Sequence, residues 1–209
     1  MCNVYSFSGF AKILLKHQIQ FSIRDFLDDK KVDLLIQQVV NKTCNPKSWC
    51  GAGIARSCFI EPNKLAAIKV SKNIYTDITD YDAEDEWADL NWNVPNDEYD
   101  PYGYVIDELK NAIYMQDDEG QNLTEIRNYK EMILNKSPYL QYVPITYAAS
   151  SSGSVQIVEF CDYADWEMRE QSDRRRFIEK SFCDTHEANF GLNKHGLLVL
   201  LDYGFGGLF

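Results

Sequence analysis

The spacing of apolar and polar residues along the first third of the chain predicts a helix followed by a β-hairpin. In residues 22–40, apolar side chains recur at intervals of three and four, and Ser22 with Asp25 three positions later has the form of a helix N-cap. Residues 55–61 and 65–70 are short apolar runs on either side of a Pro-Asn turn. The chain therefore opens with an amphipathic helix and continues into antiparallel strands.

Beyond residue 120 the pattern predicts further helices and strands. The predicted helices span residues 121–134 and 165–182, and the predicted strands span residues 143–147, 155–160 and 197–201. A serine-rich turn over residues 150–154 joins the first two of these strands. Helices beside a largely antiparallel sheet define the α+β class, which we expect here.

Charge changes this picture in one segment, residues 77–119. It holds 15 acidic residues and a single base, Lys110, so it alone carries a net charge of −14. The whole chain, with 32 acidic and 21 basic residues, carries −11. The segment also contains Trp87, Trp92 and several tyrosines, which is too aromatic for a plain disordered linker. We interpret it as an acidic insert that is partly ordered, with helical periodicity over residues 105–115.

Composition argues against several classes of function. The negative charge disfavours a broad phosphate-binding face, so we expect no direct contact with nucleic acid. The longest apolar runs fall far short of the roughly 20 residues of a membrane span, and no secretory signal or lipid anchor is expected from the N-terminal pattern. The six cysteines lack CxxC spacing, which favours free thiols over disulfides or zinc. We therefore expect a cytoplasmic protein without membrane contact.

Two glycines before the predicted hairpin offer a phosphate-binding turn. Gly51 and Gly53 precede the strand of residues 55–61, and glycines in a tight turn let backbone N–H groups approach phosphates. Arg56 stands where a third glycine would complete the GxGxxG pattern. By itself this feature is typical of an ordinary turn.

A lysine in the second hairpin strand needs an anionic partner or solvent. Lys69 lies inside the apolar run Ala-Ala-Ile-Lys-Val, and an unpaired ammonium is costly to bury. Glu125 on the predicted helix of residues 121–134 is a candidate ion-pair partner that would hold Lys69 against phosphates. Glu131 and Glu108 are alternative partners.

The most specific pattern lies near the end of the chain. Asp184 and Asn189 are five positions apart, and the apolar strand of residues 197–201 leads directly into Asp202, which begins an Asp-Tyr-Gly sequence. The spacing matches the HRDLxxxN and DFG motifs of phosphoryl transfer. Each piece alone is compatible with a surface turn, but their order indicates a common site.

These motifs together resemble the protein-kinase-like superfamily, and the DxHxxN form of the loop is similar to its aminoglycoside-phosphotransferase and small phage-encoded members. The resemblance covers residues 51–209. It implies an antiparallel N-lobe sheet with an αC-type helix, a strongly truncated C-lobe, and binding of ATP and Mg²⁺. Residues 49–59 would then form the phosphate lid.

The resemblance assigns the matching residues to three roles. The expected catalytic residues are Asp184, Lys69 and Glu125. The expected nucleotide contacts are Gly51, Gly53, Lys69, the gatekeeper Val158, and backbone groups of Glu159 and Cys161. The expected Mg²⁺ ligands are Asn189 and Asp202.

The chain departs from the family after the hinge. Phe182 and Cys183 replace the His-Arg pair before the catalytic aspartate. We expect a helical extension (1–48), a kinase-like N-lobe carrying the acidic insert (49–161) and a minimal C-lobe (162–209). Such a C-lobe should leave apolar surface around residues 197–201 and 205–209. That surface predicts a homodimer or a protein partner at this end, unless the chain's own N-terminal helix covers it.

Two functions compete. One is an ATP-dependent phosphotransferase that acts on a protein or on a small hydroxyl-bearing acceptor. The other is a pseudokinase that works by occupying a protein partner, for instance as a phage-type inhibitor. In one form of the second hypothesis, the acidic insert imitates nucleic acid.

Overall fold

A computed structural model describes residues 3–45, 47–52, 56–71, 109–114, 120–164, 171–183 and 185–204. The fold is mixed α+β, as predicted. The α-helices of the described residues are α1 (Phe7–Lys16), α2 (Asp29–Thr43), α3 (Gln121–Leu134) and α4 (Ser172–Ser181). None of these described helices combines the length and the apolar character that crossing a bilayer would require.

Two antiparallel sheets organise the strands. The strands of the larger sheet are β1 (Trp49–Ala52), β2 (Arg56–Ile60), β3 (Ala66–Ser71), β4 (Thr146–Ala149) and β5 (Val155–Glu159). They lie side by side in the order β1-β2-β3-β5-β4. The smaller sheet, ordered β6-β7-β8, contains β6 (Asp162–Tyr163), β7 (Phe190–Leu192) and β8 (Leu198–Leu200).

The β2–β3 hairpin confirms the predicted strand, turn and strand. Arg56 pairs with Ser71 at one end of the ladder and Ile60 with Ala67 at the other. The Glu61 carboxylate holds the turn by accepting hydrogen bonds from the backbone N–H of Asn63 at 2.8 Å and of Leu65 at 3.1 Å. Period-two alternation then places Lys69 and Ile68 on opposite faces of the sheet.

The outer face of the larger sheet is covered by α1 and α2. Buried apolar side chains of the strands and of both helices form one cluster, which includes Phe10, Ile36, Phe59, Ile68 and Ile157. This cover belongs to the sheet, and the expectation that the N-terminal helix covers residues 197–201 was wrong.

The single helix predicted over residues 22–40 is two elements in the structure. A 3₁₀ helix, Ile23–Leu27, comes first, and α2 begins only after Asp28. The Asp28 carboxylate accepts from the backbone N–H of Lys30 at 3.0 Å, which caps α2 and separates it from the preceding turn. Helical spacing of apolar residues continues across this break, so periodicity alone does not reveal it. Helix α1 also precedes both elements and was not predicted.

A second apolar cluster surrounds β8. Leu198, Val199 and Leu200 are buried, which contradicts the expected apolar surface at these positions, although Leu197 is 43% exposed. Ile178 of α4 and Met132 of α3 belong to the same cluster as Leu198 and Leu200. The chain therefore covers this strand with elements of its own. Residues 205–209 lie outside the described residues.

Only the end of the acidic insert is described, as residues 109–114. A 3₁₀ turn, Ala112–Tyr114, packs on α2. Gln37 of α2 donates from Nε2 to the Leu109 carbonyl at 2.7 Å and accepts at Oε1 from the Ile113 N–H at 3.2 Å. This part of the predicted periodicity is therefore ordered against the N-terminal helices.

Candidate functional site

Lys69 forms a buried ion pair with Glu125. Its Nζ lies 2.8 Å from Glu125 Oε2 and also donates to the Leu201 carbonyl at 2.6 Å. The exposed fractions of the two side chains are 8% and 0%. Lys69 therefore points to an anion and not to solvent. Of the alternative partners, Glu131 is exposed, and Glu108 lies outside the described residues.

Arg56 enters the same cluster from β2. Its Nη2 lies 2.7 Å from Glu125 Oε1 and 2.7 Å from Asp202 Oδ2, and its Nη1 donates to Asn122 Oδ1 at 3.1 Å. Only 7% of the residue is exposed. Burial alone would lower the pKa of Arg56, but the carboxylates of Glu125 and Asp202 raise it above its usual value. Arg56 is therefore a permanently charged part of the site.

Asp202 is held by groups from three elements. Its Oδ2 contacts Arg56 and accepts from Gln121 Nε2 at 2.7 Å, while Oδ1 accepts from the Gly204 N–H at 3.4 Å. Burial raises the pKa of Asp202, but the nearby cations of Arg56 and Lys69 outweigh it and leave the pKa below its ordinary value. Asp202 is thus ionised at neutral pH, with its Oδ2 paired to Arg56.

The Asp-Tyr-Gly segment is fastened to α3. The Tyr203 N–H donates to Glu125 Oε1 at 3.3 Å, and the Tyr203 carbonyl accepts from Asn128 Nδ2 at 3.1 Å. A Cβ on Gly204 would lie 2.8 Å from the Gln121 carbonyl oxygen, so the glycine allows the close approach of this segment to the helix. Position 204 needs glycine for packing and not only for a turn.

Asn122 ties the start of α3 to the larger sheet. Its Nδ2 donates to Ser71 Oγ at 3.1 Å and to the Ser154 carbonyl at 3.2 Å, and its Oδ1 accepts from Arg56. The asparagine is completely buried. Sequence reasoning missed Gln121 and Asn122. It registered Arg56 only as a departure from a glycine pattern. The available signal was the placement of polar residues on the helix face that also carries Glu125.

The remaining predicted residues that the structure describes lie beside Leu201, on β5 and directly after β5. The Asn189 carbonyl accepts from the Leu201 N–H at 2.6 Å, which places Asn189 beside the segment that leads into Asp202. Val158 pairs with Ala67 of β3 and with Thr146 of β4. The Glu159 N–H donates to the Ile145 carbonyl at 2.7 Å, and burial raises the pKa of Cys161 to about 12.

Of the two glycines in the predicted phosphate-binding turn, the structure describes only Gly51. Gly51 lies within β1 and pairs with Cys58 of β2, so it is a strand residue and not part of a turn. Trp49 pairs with Phe59, so β1 and β2 are neighbouring antiparallel strands. Gly53 lies outside the described residues, as does the expected catalytic base Asp184.

With Arg56 in place, the Oδ2 atom of Asp202 is a poor ligand for a divalent cation. Mg²⁺ binds oxygen at about 2.1 Å, so an ion on Oδ2 would lie within about 5 Å of the Arg56 Nη2, which is 2.7 Å from that oxygen. At an effective dielectric constant of about 20, a divalent ion and a guanidinium at that separation repel by about 7 kcal/mol. The assignment of Asn189 and Asp202 as Mg²⁺ ligands stays a prediction.

A cavity of about 460 Å³ lies away from this cluster, between α1 and the end of β5. Lys12, Lys64, Lys194 and Tyr147 contribute to its walls. Glu159 lines it as well, and it is the one predicted site residue among the lining side chains. The cavity therefore does not mark the place where Lys69 and Asp202 meet.

No family model, curated protein or solved structure matches the chain.

Proposed function

We propose that the chain is a kinase-like nucleotide-binding protein that transfers a phosphoryl group from ATP to a hydroxyl acceptor. The observation that carries the proposal is the ion pair of 2.8 Å between Lys69 on β3 and Glu125 on α3. In protein kinases a lysine of the third strand and a glutamate of the following helix form such a pair, and both are needed for phosphoryl transfer.

The order of elements supports the same function. Helix α3 follows β3 and precedes β4 and β5, and the Asp-Tyr-Gly segment follows β8 in the smaller sheet. This places Asp202 beside the Lys69–Glu125 pair although 133 positions separate Asp202 from Lys69. Val158 of β5 is the expected gatekeeper, backbone groups of Glu159 and Cys161 are expected to contact adenine, and Asp184 is the expected base.

ATP binding tests this function. ATP should raise the melting temperature of the protein, because a ligand that binds only the folded state stabilises it by mass action. Lys69→Met should weaken ATP binding by about tenfold or more, since it removes a cation expected to contact phosphate oxygens. Lys64→Met is the matched control, because the Lys64 side chain is 65% exposed. Equal affinities of the two variants would contradict the proposed site.

Turnover tests the catalytic half of the proposal. Asp184→Ala should lower phosphoryl transfer far more than ATP affinity, because a base acts on the acceptor hydroxyl and not on the nucleotide. Release of labelled phosphate, with water as the acceptor, would report turnover before an acceptor is known. Equal losses of turnover and affinity would remove Asp184 from that role.

A second candidate is a pseudokinase that binds nucleotide and a protein partner without catalysis. The contact of 2.7 Å between Arg56 and Asp202 favours it, since in protein kinases this carboxylate binds the Mg²⁺ ion that contacts the nucleotide phosphates. The acidic insert and the C-terminal end are the proposed partner surfaces, and light scattering of the purified chain would detect a homodimer. ATP binding without any turnover would support this candidate over the first.

A further inference from the structure

Arg56 balances the negative charge of two carboxylates in the buried cluster. Lys69 and Arg56 bring two positive charges, and Glu125 and Asp202 bring two negative charges, all within contacts of 2.7 or 2.8 Å. Without Arg56 the cluster would carry an excess negative charge at Asp202. A buried carboxylate needs a paired cation, which in phosphoryl-transfer sites is commonly Mg²⁺.

We propose that the Arg56 guanidinium takes the place of a divalent cation at Asp202, so that the site around Lys69 and Glu125 binds a nucleoside triphosphate without metal. The inference rests on the proposed nucleotide-binding function. It concerns the source of positive charge in the site and not the identity of the nucleotide.

The fixed geometry of Arg56 favours this role. The guanidinium is planar and always charged, so it holds two carboxylates as a cation without needing to be loaded from solution. Asn122, itself completely buried, accepts from Nη1 and fixes the orientation of the group. Among the described residues, Arg56 donates hydrogen bonds to Glu125 and Asn122. Together with the contact of 2.7 Å between Nη2 and Asp202 Oδ2, these use three of the five N–H groups of a guanidinium, and we assign the remaining two to phosphate oxygens.

The origin of Arg56 in the strand also fits the role. Arg56 begins β2, directly after the β1–β2 connection, and pairs with Ser71 at the end of β3. The side chain therefore reaches the carboxylates from the hairpin expected to cover the phosphates. A metal ion would instead have to displace the guanidinium from Asp202.

The metal dependence of ATP binding by the wild-type protein is the first test. The dissociation constant for ATP, measured by calorimetry, should change by no more than about threefold between excess EDTA and millimolar Mg²⁺. A loss of affinity of about tenfold or more in EDTA would overturn the inference while leaving nucleotide binding in place. This measurement needs no variant.

The second test uses Arg56→Gln, which removes the charge and keeps much of the side-chain length. In EDTA this variant should bind ATP about tenfold more weakly than the wild type, and Mg²⁺ should restore the affinity. Mn²⁺ alone, followed by electron paramagnetic resonance, should bind to Arg56→Gln and not to the wild type. Binding of Mn²⁺ should be lost again in the double variant Arg56→Gln with Asp202→Asn. Arg176→Gln, at a side chain that is 67% exposed, is the matched control.

The outcomes separate this inference from the proposed function. ATP binding by Arg56→Gln but not by the wild type would show that Arg56 blocks the nucleotide site, which overturns the inference and retains the site. Failure of both proteins to bind ATP, with and without Mg²⁺, would overturn the proposed function as well. If Arg56→Gln does not fold, the metal dependence of the wild type still decides.

Discussion

The two faces of the five-stranded sheet are built from alternate residues of the same strands, yet they differ in chemistry. On the outer face Phe59, Ile68 and Ile157 pack against apolar side chains of α1 and α2. On the inner face Arg56 and Lys69 meet carboxylates that come from α3 and from the end of β8. Both faces are buried, but only one is buried by apolar contacts.

This difference separates two kinds of stabilisation. Apolar contacts on the outer face add up over many atoms, so the removal of one side chain leaves the others in place. On the inner face each charge is acceptable only while its partner is present, because a buried charge without a partner costs several kcal/mol. The outer face therefore stabilises the sheet through many apolar contacts. On the inner face, the type of each residue is determined by the charge of its partner.

Loss of the Glu125 carboxylate should have the largest effect, because two buried cations share it. We expect Glu125→Gln to lower the free energy of unfolding by about 3–5 kcal/mol. The control is Glu131→Gln on the exposed side of the same helix, where a change of at most about 0.5 kcal/mol is expected. Urea denaturation would measure both. Similar stabilities of the two variants would show that the inner face is not a coupled charge cluster.

A cavity on the outer face should have a somewhat smaller effect and should leave the site intact. Ile36 of α2 is completely buried in the apolar cluster, so Ile36→Ala should cost about 3 kcal/mol of unfolding free energy. Leu34 on the same helix is 52% exposed, and Leu34→Ala is the control. At temperatures where both variants are folded, their ATP affinities should equal that of the wild type. A change in affinity for Ile36→Ala would show that the two faces are coupled.

The helices and strands could be predicted from the sequence better than the breaks and pairings between them. Two short apolar runs on either side of a Pro-Asn turn predicted the β2–β3 hairpin, and the periodicity of residues 121–134 matched α3 at both ends. The capped break before α2 was missed, because Asp28 interrupts the backbone without interrupting the apolar spacing. Antiparallel pairing of β3 with β5 depends on contacts far apart in the sequence, which local patterns do not report.

The inner face was predictable only in part. The Lys69–Glu125 pair could be proposed because each residue lies in an element with a clear pattern. The role of Arg56 could not, since its importance depends on Asp202, which is 146 positions away in the sequence and 2.7 Å away in space. Gln121 and Asn122 were missed for the same reason. A polar residue at a helix start is usually interpreted as a surface group.

The smallest expected effect is the pH dependence of the unfolding free energy that Asp202 contributes. The pKa of Asp202 in the folded protein lies below the ordinary value of an aspartate. Its ionised carboxylate therefore stabilises the fold at pH values above that ordinary pKa. This stability is lost as the pH falls through the folded pKa. Asp202→Asn should therefore cost about 2 kcal/mol near pH 7, and the cost should shrink below about pH 4.

Asp33 on α2 provides a control of opposite sign. Burial raises the pKa of Asp33 in spite of the hydrogen bond of 2.8 Å that its Oδ1 accepts from the Ser151 N–H. A raised pKa means that the folded state favours the protonated carboxyl. The wild type should therefore lose stability relative to Asp33→Asn as the pH rises through the folded pKa. Thermal melts of both variants between about pH 3 and pH 7 would show slopes of opposite sign. Parallel slopes would mean that Arg56 does not stabilise the ionised Asp202.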